Sequence, residues 1–217
     1  MRSISPSLLV APPAGAKVRT RLHLMGTDEE LLLQVGAYLA RLAGRDLAAR
    51  CRVGPGPDGR ARRKRELTAA CSSRWAGAIT RTTNDQWTRG YKNLQEERAS
   101  LRQAIRQLEQ RVRVPVSGKA GRVRGYPTAA ERWAKQRRLQ MLGARLARVE
   151  TRLVSGRVSV VRGGRRLARA RLHLDAAGLT EQQWRQRWAA ERLFLTADGE
   201  AEVTWGNLTI RWHPVEG

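Results

Sequence analysis

Across residues 83–153 the apolar positions recur at alternate steps of four and three, the spacing that keeps side chains on one face of a helix. In a first arm these are Trp87, Tyr91, Leu94, Leu101, Ile105, Leu108 and Val112, with the charged Arg98 at one position of the seam. Leu139, Leu142, Leu146, Val149 and Leu153 repeat the spacing in a second arm, which opens with Pro127 and a Thr128-x-x-Glu131 capping box. Two matched seams predict an antiparallel helical hairpin. Between them, residues 114–126 hold Pro115, Gly118, Gly121 and Gly125, which oppose helix, together with Lys119, Arg122 and Arg124 and no acid. The hairpin should therefore end in a cationic tip. It is either a plain structural coiled coil or an arm that carries charge to a partner.

The pattern changes on both sides. Residues 17–24 (K-V-R-T-R-L-H-L) alternate polar and apolar, as a half-buried strand does, with Val18, Thr20, Leu22 and Leu24 on one face. Thr27 and Glu30 form a second capping box before Leu31, Leu32, Val35, Leu39 and Leu42, a helix that Gly44 ends or interrupts. Residues 52–59 are too rich in Gly and Pro for regular structure. Residues 60–65 then pack five positive charges into six positions, as a solvated loop or a helix start. A short Ala-rich helix with Trp75 follows over 68–79, and the T-R-T-T-N-D run of 80–85 supplies N-cap residues for the first long arm. Beyond a C-cap at Gly156, residues 157–161 (R-V-S-V-V) read as a strand, and R-G-G-R as a tight turn into 166–174. A short helix starts at Thr180 with Trp184 and Trp188 on one face, and 193–195 and 208–212 read as further strands around a turn at 197–199.

This order predicts an α+β fold: a small antiparallel β unit interrupted by a long antiparallel helical hairpin lobe. Residues 1–16, rich in Ser, Pro and Ala, read as a disordered N-terminus. Residues 17–26 and 155–217 would form the β-rich domain, and 27–154 the helical lobe.

Charge changes the picture most. The formal net charge is +23 on 217 residues, which points to a polyanionic partner, nucleic acid before others. Lysine occurs only at Lys17, Lys64, Lys92, Lys119 and Lys135, so the charge is nearly all arginine, whose planar fork suits phosphate oxygens and stacking on bases. It is concentrated between Arg132 and Leu174, where Glu150 is the single acid among thirteen bases, while 175–217 carries seven acids and four arginines. Cys51 and Cys71 stand alone, with no Cys-x-x-Cys and no nearby His, so neither a metal site nor a disulfide framework is expected, and a reducing cytoplasm fits. Nothing approaches the eighteen apolar residues of a membrane span. A Gly-Gly turn between arginines would let backbone approach phosphate closely. The candidate nucleic-acid contacts are therefore Lys119, Arg122 and Arg124 at the tip, Arg132, Lys135 and Arg138 on the second arm, and Arg162, Gly163, Gly164, Arg165 and Arg166 in the turn.

Several segments in order, V-V-R-G-G-R-R-L (160–167), E-Q-Q-W-R-Q-R-W (181–188), F-L-T-A-D-G-E (194–200) and then Gly206-Asn207, resemble the N-terminal half of TnpB-type proteins. These are the OrfB transposases of insertion sequences, relatives of type V CRISPR effectors. The T-R-L-H-L and I-T-R-T-T-N-D-Q-W stretches are similar to actinobacterial members. The resemblance implies a wedge-like partial β-barrel holding a helical recognition lobe, with guide RNA and an RNA–DNA heteroduplex as partners, bound by shape and backbone. Only the Gly-Gly-Arg-Arg segment matches a recurring motif of that family. Its nuclease centre lies downstream of the region present here, so the chain is expected to be a truncated binding half, without cofactor or nuclease activity, beside a possible separately encoded nuclease half. The other expectations are a free-standing basic RNA- or DNA-binding regulator and a basic helical module that docks on an acidic protein.

Overall fold

The computed structural model describes residues 26–161 and 164–195. Among these the protein is mostly helical, with six helices and one two-stranded antiparallel sheet. The helices are α1 (Gly26–Val53), α2 (Arg60–Thr68), α3 (Ser73–Arg113), α4 (Ala129–Ser155), α5 (Gly164–Ala170) and α6 (Glu181–Ala190). The strands β1 (Lys119–Ala120) and β2 (Val123–Arg124) lie between α3 and α4. The predicted strands at 17–24 and 208–212 lie outside the described residues.

α3 is the axle: α1, α2 and α4 all pack on it. It begins earlier than the 80–85 run suggested, because Ser72 caps it by accepting from the Trp75 N–H at 3.2 Å. The threonines expected as caps turn inward instead. Thr80 donates to the Ala76 carbonyl at 2.8 Å, which satisfies its hydroxyl inside the helix, while the single hydroxyl proton of Thr83 goes to Asp46 of α1. Of the short helix predicted over 68–79, residues 73–79 merge with the first arm into 41 continuous residues, whereas Thr68 ends α2 and 69–72 form the break between the two helices. Gly44 is likewise passed over. α1 continues to Val53 because its buried face, Leu39, Leu42 and Ala43, packs with Leu67, Ala76 and Ile79, which outweighs the roughly 1 kcal/mol that glycine costs a helix.

The predicted hairpin is present. Leu94 and Leu101 of α3 interlock with Val149 and Leu153 of α4, flanked by Tyr91, Leu142 and Leu146. Thr128 caps α4, accepting from the Glu131 N–H at 3.1 Å, and Gly156 ends it with φ 66°. A Cβ on Gly156 would stand 2.5 Å from the Cα of Gly54, so glycine is required there for the ends of α1 and α4 to meet.

Beside that meeting point lies a buried polar knot. Asp46 of α1 accepts from Arg63 of α2 and from the Thr83 hydroxyl of α3, and all three side chains are buried. Arg50 adds a bond to Asn84 at 2.9 Å and lies 3.6 Å over the ring of Trp87, whose indole N–H donates to the Gly156 carbonyl at 2.8 Å. Burial, then the neighbouring Arg63, pull the Arg50 guanidinium below its ordinary pKa, against the opposing pull of Asp58 and Cys51.

After α4 the structure departs from expectation. Residues 157–161 form neither helix nor strand among the described residues; Val158 instead seats against α3 at Gly90, where a Cβ would come within 2.9 Å of it. The segment expected as a returning strand, 166–174, is helix α5 over its first half, since R-R-L-A-R-A consists of strong helix formers. Residues 193–195 are also not a strand; the Phe194 N–H donates to the Gly36 carbonyl at 3.1 Å, which ties the end of this region to α1. The helix at Thr180 forms with a complete capping box, and Trp184 and Trp188 stack with centroids 5.3 Å apart.

Candidate nucleic-acid interface

The tip of the hairpin is a built turn. Tyr126 is fully buried, and Val114 nearly so. The Ser117 N–H donates to the Tyr126 carbonyl at 2.8 Å, the Gly118 N–H to Pro115 and the Gly125 N–H to Gly118, both at 3.0 Å. Gly125 passes so close to Pro115 that a Cβ would lie 2.2 Å from its carbonyl oxygen. The glycines and prolines that read as helix breakers therefore act as packing elements.

Two arginines clamp this turn to the stem. Arg111 lies over the ring of Tyr126 at 4.2 Å and donates through Nε to the Arg124 carbonyl at 3.2 Å, while Arg132 Nε donates to the Val112 carbonyl at 3.0 Å. Lys135 approaches the same tyrosine ring, its Nζ 5.9 Å from the centroid. Two of the candidate contacts, Arg132 and Lys135, are thus half-buried beneath the turn, and the exposed Arg111, which sequence reading passed over, is tied to the same turn. Its signal was available: it stands just before the helix break, at the head of the acid-free run between Glu109 and Glu131.

On this base stand the exposed charges Lys119, Arg122 and Arg124. The strand register sets Lys119 directly opposite Arg124, an arrangement of like charges that destabilises a sheet. Together with Arg111, Gln107 and Gln110, Arg122 and Arg124 line an open groove on one side of the tip. From Glu109 to Glu131 the sequence has no acid. Along the stem the opposite holds, since Glu97 and Glu150 are taken up by Arg145 and Arg102, the latter at 2.6 Å.

The candidate residues do not form one patch. Arg138 is exposed on α4. Gly164, Arg165 and Arg166 are exposed in the first turn of α5, beyond the far end of α4, whereas Arg162 and Gly163 lie outside the described residues. At 27 residues, α4 separates the two groups by about 40 Å. Gly164 and Arg165 open helix α5, so residues 166–170 do not return as the strand of a β-hairpin.

Among the described residues no three His, Cys, Asp or Glu side chains gather as a metal site would require, and no helix is long and apolar enough to cross a membrane. Both cysteines are free, and burial pushes the Cys71 thiol up from its ordinary pKa. No family model, curated protein or solved structure matches the chain.

Proposed function

We propose that this protein binds nucleic acid through the hairpin tip, and that it reads the phosphate backbone before any base. The observation that carries this reading is the opposition of Lys119 and Arg124 on a turn built around the buried Val114, Gly125 and Tyr126. Like charges are held together on a rigid mount with no carboxylate in the turn to neutralise them, and a row of phosphates would convert that cost into binding free energy.

Each phosphate neutralised on a duplex contributes about 0.9 to the slope of log affinity against log salt. Replacing Lys119, Arg122 and Arg124 together by Ala should therefore lower the slope by roughly 2 to 3, measured by anisotropy on a labelled duplex between 50 and 200 mM salt. An unchanged slope would remove the tip from the interface.

The finer reading is that the bound species are a guide RNA and its heteroduplex with DNA, as in the TnpB-type proteins that the sequence resembles. The long hairpin supports it as the counterpart of the recognition lobe. The wedge-like β unit of that reading would have to draw on 17–25 and 196–217, because 164–170 and 181–190 are helices. Sequencing the RNA that copurifies with the protein tests this: a structured transcript of the chain's own locus supports it, and bulk RNA favours a free-standing basic binding module.

A further inference from the structure

Of the five tryptophans among the described residues, four are at least half-buried: Trp87 and Trp184 each bond a backbone carbonyl, Trp75 packs on the α1–α3 core, and Trp188 stacks on Trp184. Trp133 is the exception. It lies on α4, one turn beyond its cap, with 59% of its surface exposed. An aromatic side chain of this size gains more from burial than most, and the protein leaves most of that gain unused.

Its surroundings are specific. Arg137, one turn on, holds its guanidinium over one face of the indole, 4.9 Å from the ring centroid, so it is the other face that a stacked base would use. The same helical face continues through Met141, 71% exposed, and Ala144 to Arg148, and it bears no acid. The two acids of α4 project elsewhere: Glu150 pairs with Arg102 of α3, and Glu131 is half-buried in the first turn. An apolar ring rimmed only by positive charge complements a polyanion that itself has flat apolar faces. Among polyanions, an unpaired nucleic-acid strand has that chemistry, because in a duplex the base faces are already stacked.

We infer that Trp133 is a base-stacking platform, with Arg137 beside it for the adjoining phosphate, so that the outer face of α4 takes unpaired nucleotides where the tip takes backbone of any form. This inference rests on the nucleic-acid reading above and adds a preference to it. Because α4 is a packed helix and not a loop, the ring is presented on a rigid support.

The test uses the full chain, a labelled 15-nucleotide oligothymidine and a labelled duplex of the same length, with the wild type titrated at two salt concentrations and the variants compared with it at the lower one. Trp133→Ala should weaken single-strand binding roughly 5- to 150-fold, the range one base–aromatic stack supplies, and leave duplex binding within about twofold. Trp133→Phe, which keeps a π face, should recover most of the loss. Equal loss on both ligands, or no loss on either, would overturn the platform, the second outcome leaving Trp133 as a protein-docking residue. If instead the wild type binds neither ligand in a salt-dependent way, it is the nucleic-acid reading itself that fails. A Lys119→Ala/Arg122→Ala/Arg124→Ala variant that weakens both ligands while Trp133→Ala weakens neither would isolate the failure to the platform.

Discussion

Asp46 illustrates how one residue can decide whether three helices meet. It is 3% exposed and, among the described residues, serves as the only carboxylate for the buried Arg63, whose Nε also donates to the Asp58 carbonyl at 3.1 Å. A buried ion pair contributes little over an apolar substitute, but removal of one partner strands the other charge. Asp46→Ala should therefore cost about 3–5 kcal/mol in urea unfolding. Asp46→Asn, which still accepts from both donors, should cost less. Equal stability of Asp46→Ala and the wild type would show that Arg63 finds another partner. Nothing in local sequence pattern announces this knot: Asp46, Arg63 and Thr83 are spread over 37 positions, and each reads in isolation as a surface residue. The same blindness applied to Trp133, which resembles the other tryptophans until packing excludes it from every core.

At the scale of elements, periodicity was a reliable guide where the helix was long and its seam had a partner. The stem of α3 and α4, both caps of α4 and the start of α6 at Thr180 were all legible, because each depends on residues within one or two turns. Leu101 lies in that seam at 6% exposure, so Leu101→Ala should cost about 2–5 kcal/mol. Met141→Ala, on the outer face at 71% exposure, should fall within about 0.5 kcal/mol of the wild type. Thermal or urea unfolding of the pair checks the assignment of faces; reversed costs would mean that α4 is rotated. Short elements were the ones misread. The alternation R-V-S-V-V satisfies a strand template as well as it satisfies an extended segment laid on a helix, and only the notch at Gly90 in α3 selects the second. In α5, the glycines drew a turn prediction although the residues after them favour helix.

For the whole molecule the arrangement of charge matters more than its sum. The tip and the arginines of α5 stand at opposite ends of α4, about 40 Å apart, and between them Glu97 and Glu150 of the stem are paired with Arg145 and Arg102. A ligand that engages both ends gains from effective concentration, and one too short to span them does not. At 3.4 Å per base pair, affinity for duplex should rise steeply near about 12 base pairs, and Arg165→Ala/Arg166→Ala should flatten that rise while sparing shorter ligands. A smooth dependence on length, unaffected by that variant, would show that the two ends act on separate partners.

The sequence by itself determined the antiparallel hairpin, its capped ends, its acid-free tip and the excess of positive charge, because these follow from spacing and composition over short distances. Tertiary structure decided which glycines are packing contacts, which arginines are clamps and which remain exposed, and whether the segments after α4 pair or coil. Those outcomes depend on what lies across the molecule: a carbonyl of Pro115 beside Gly125, the ring of Tyr126 under Arg111, and the flank of α3 against Val158. Such neighbours are joined by packing alone, and packing is not written in the order of residues along any single helix.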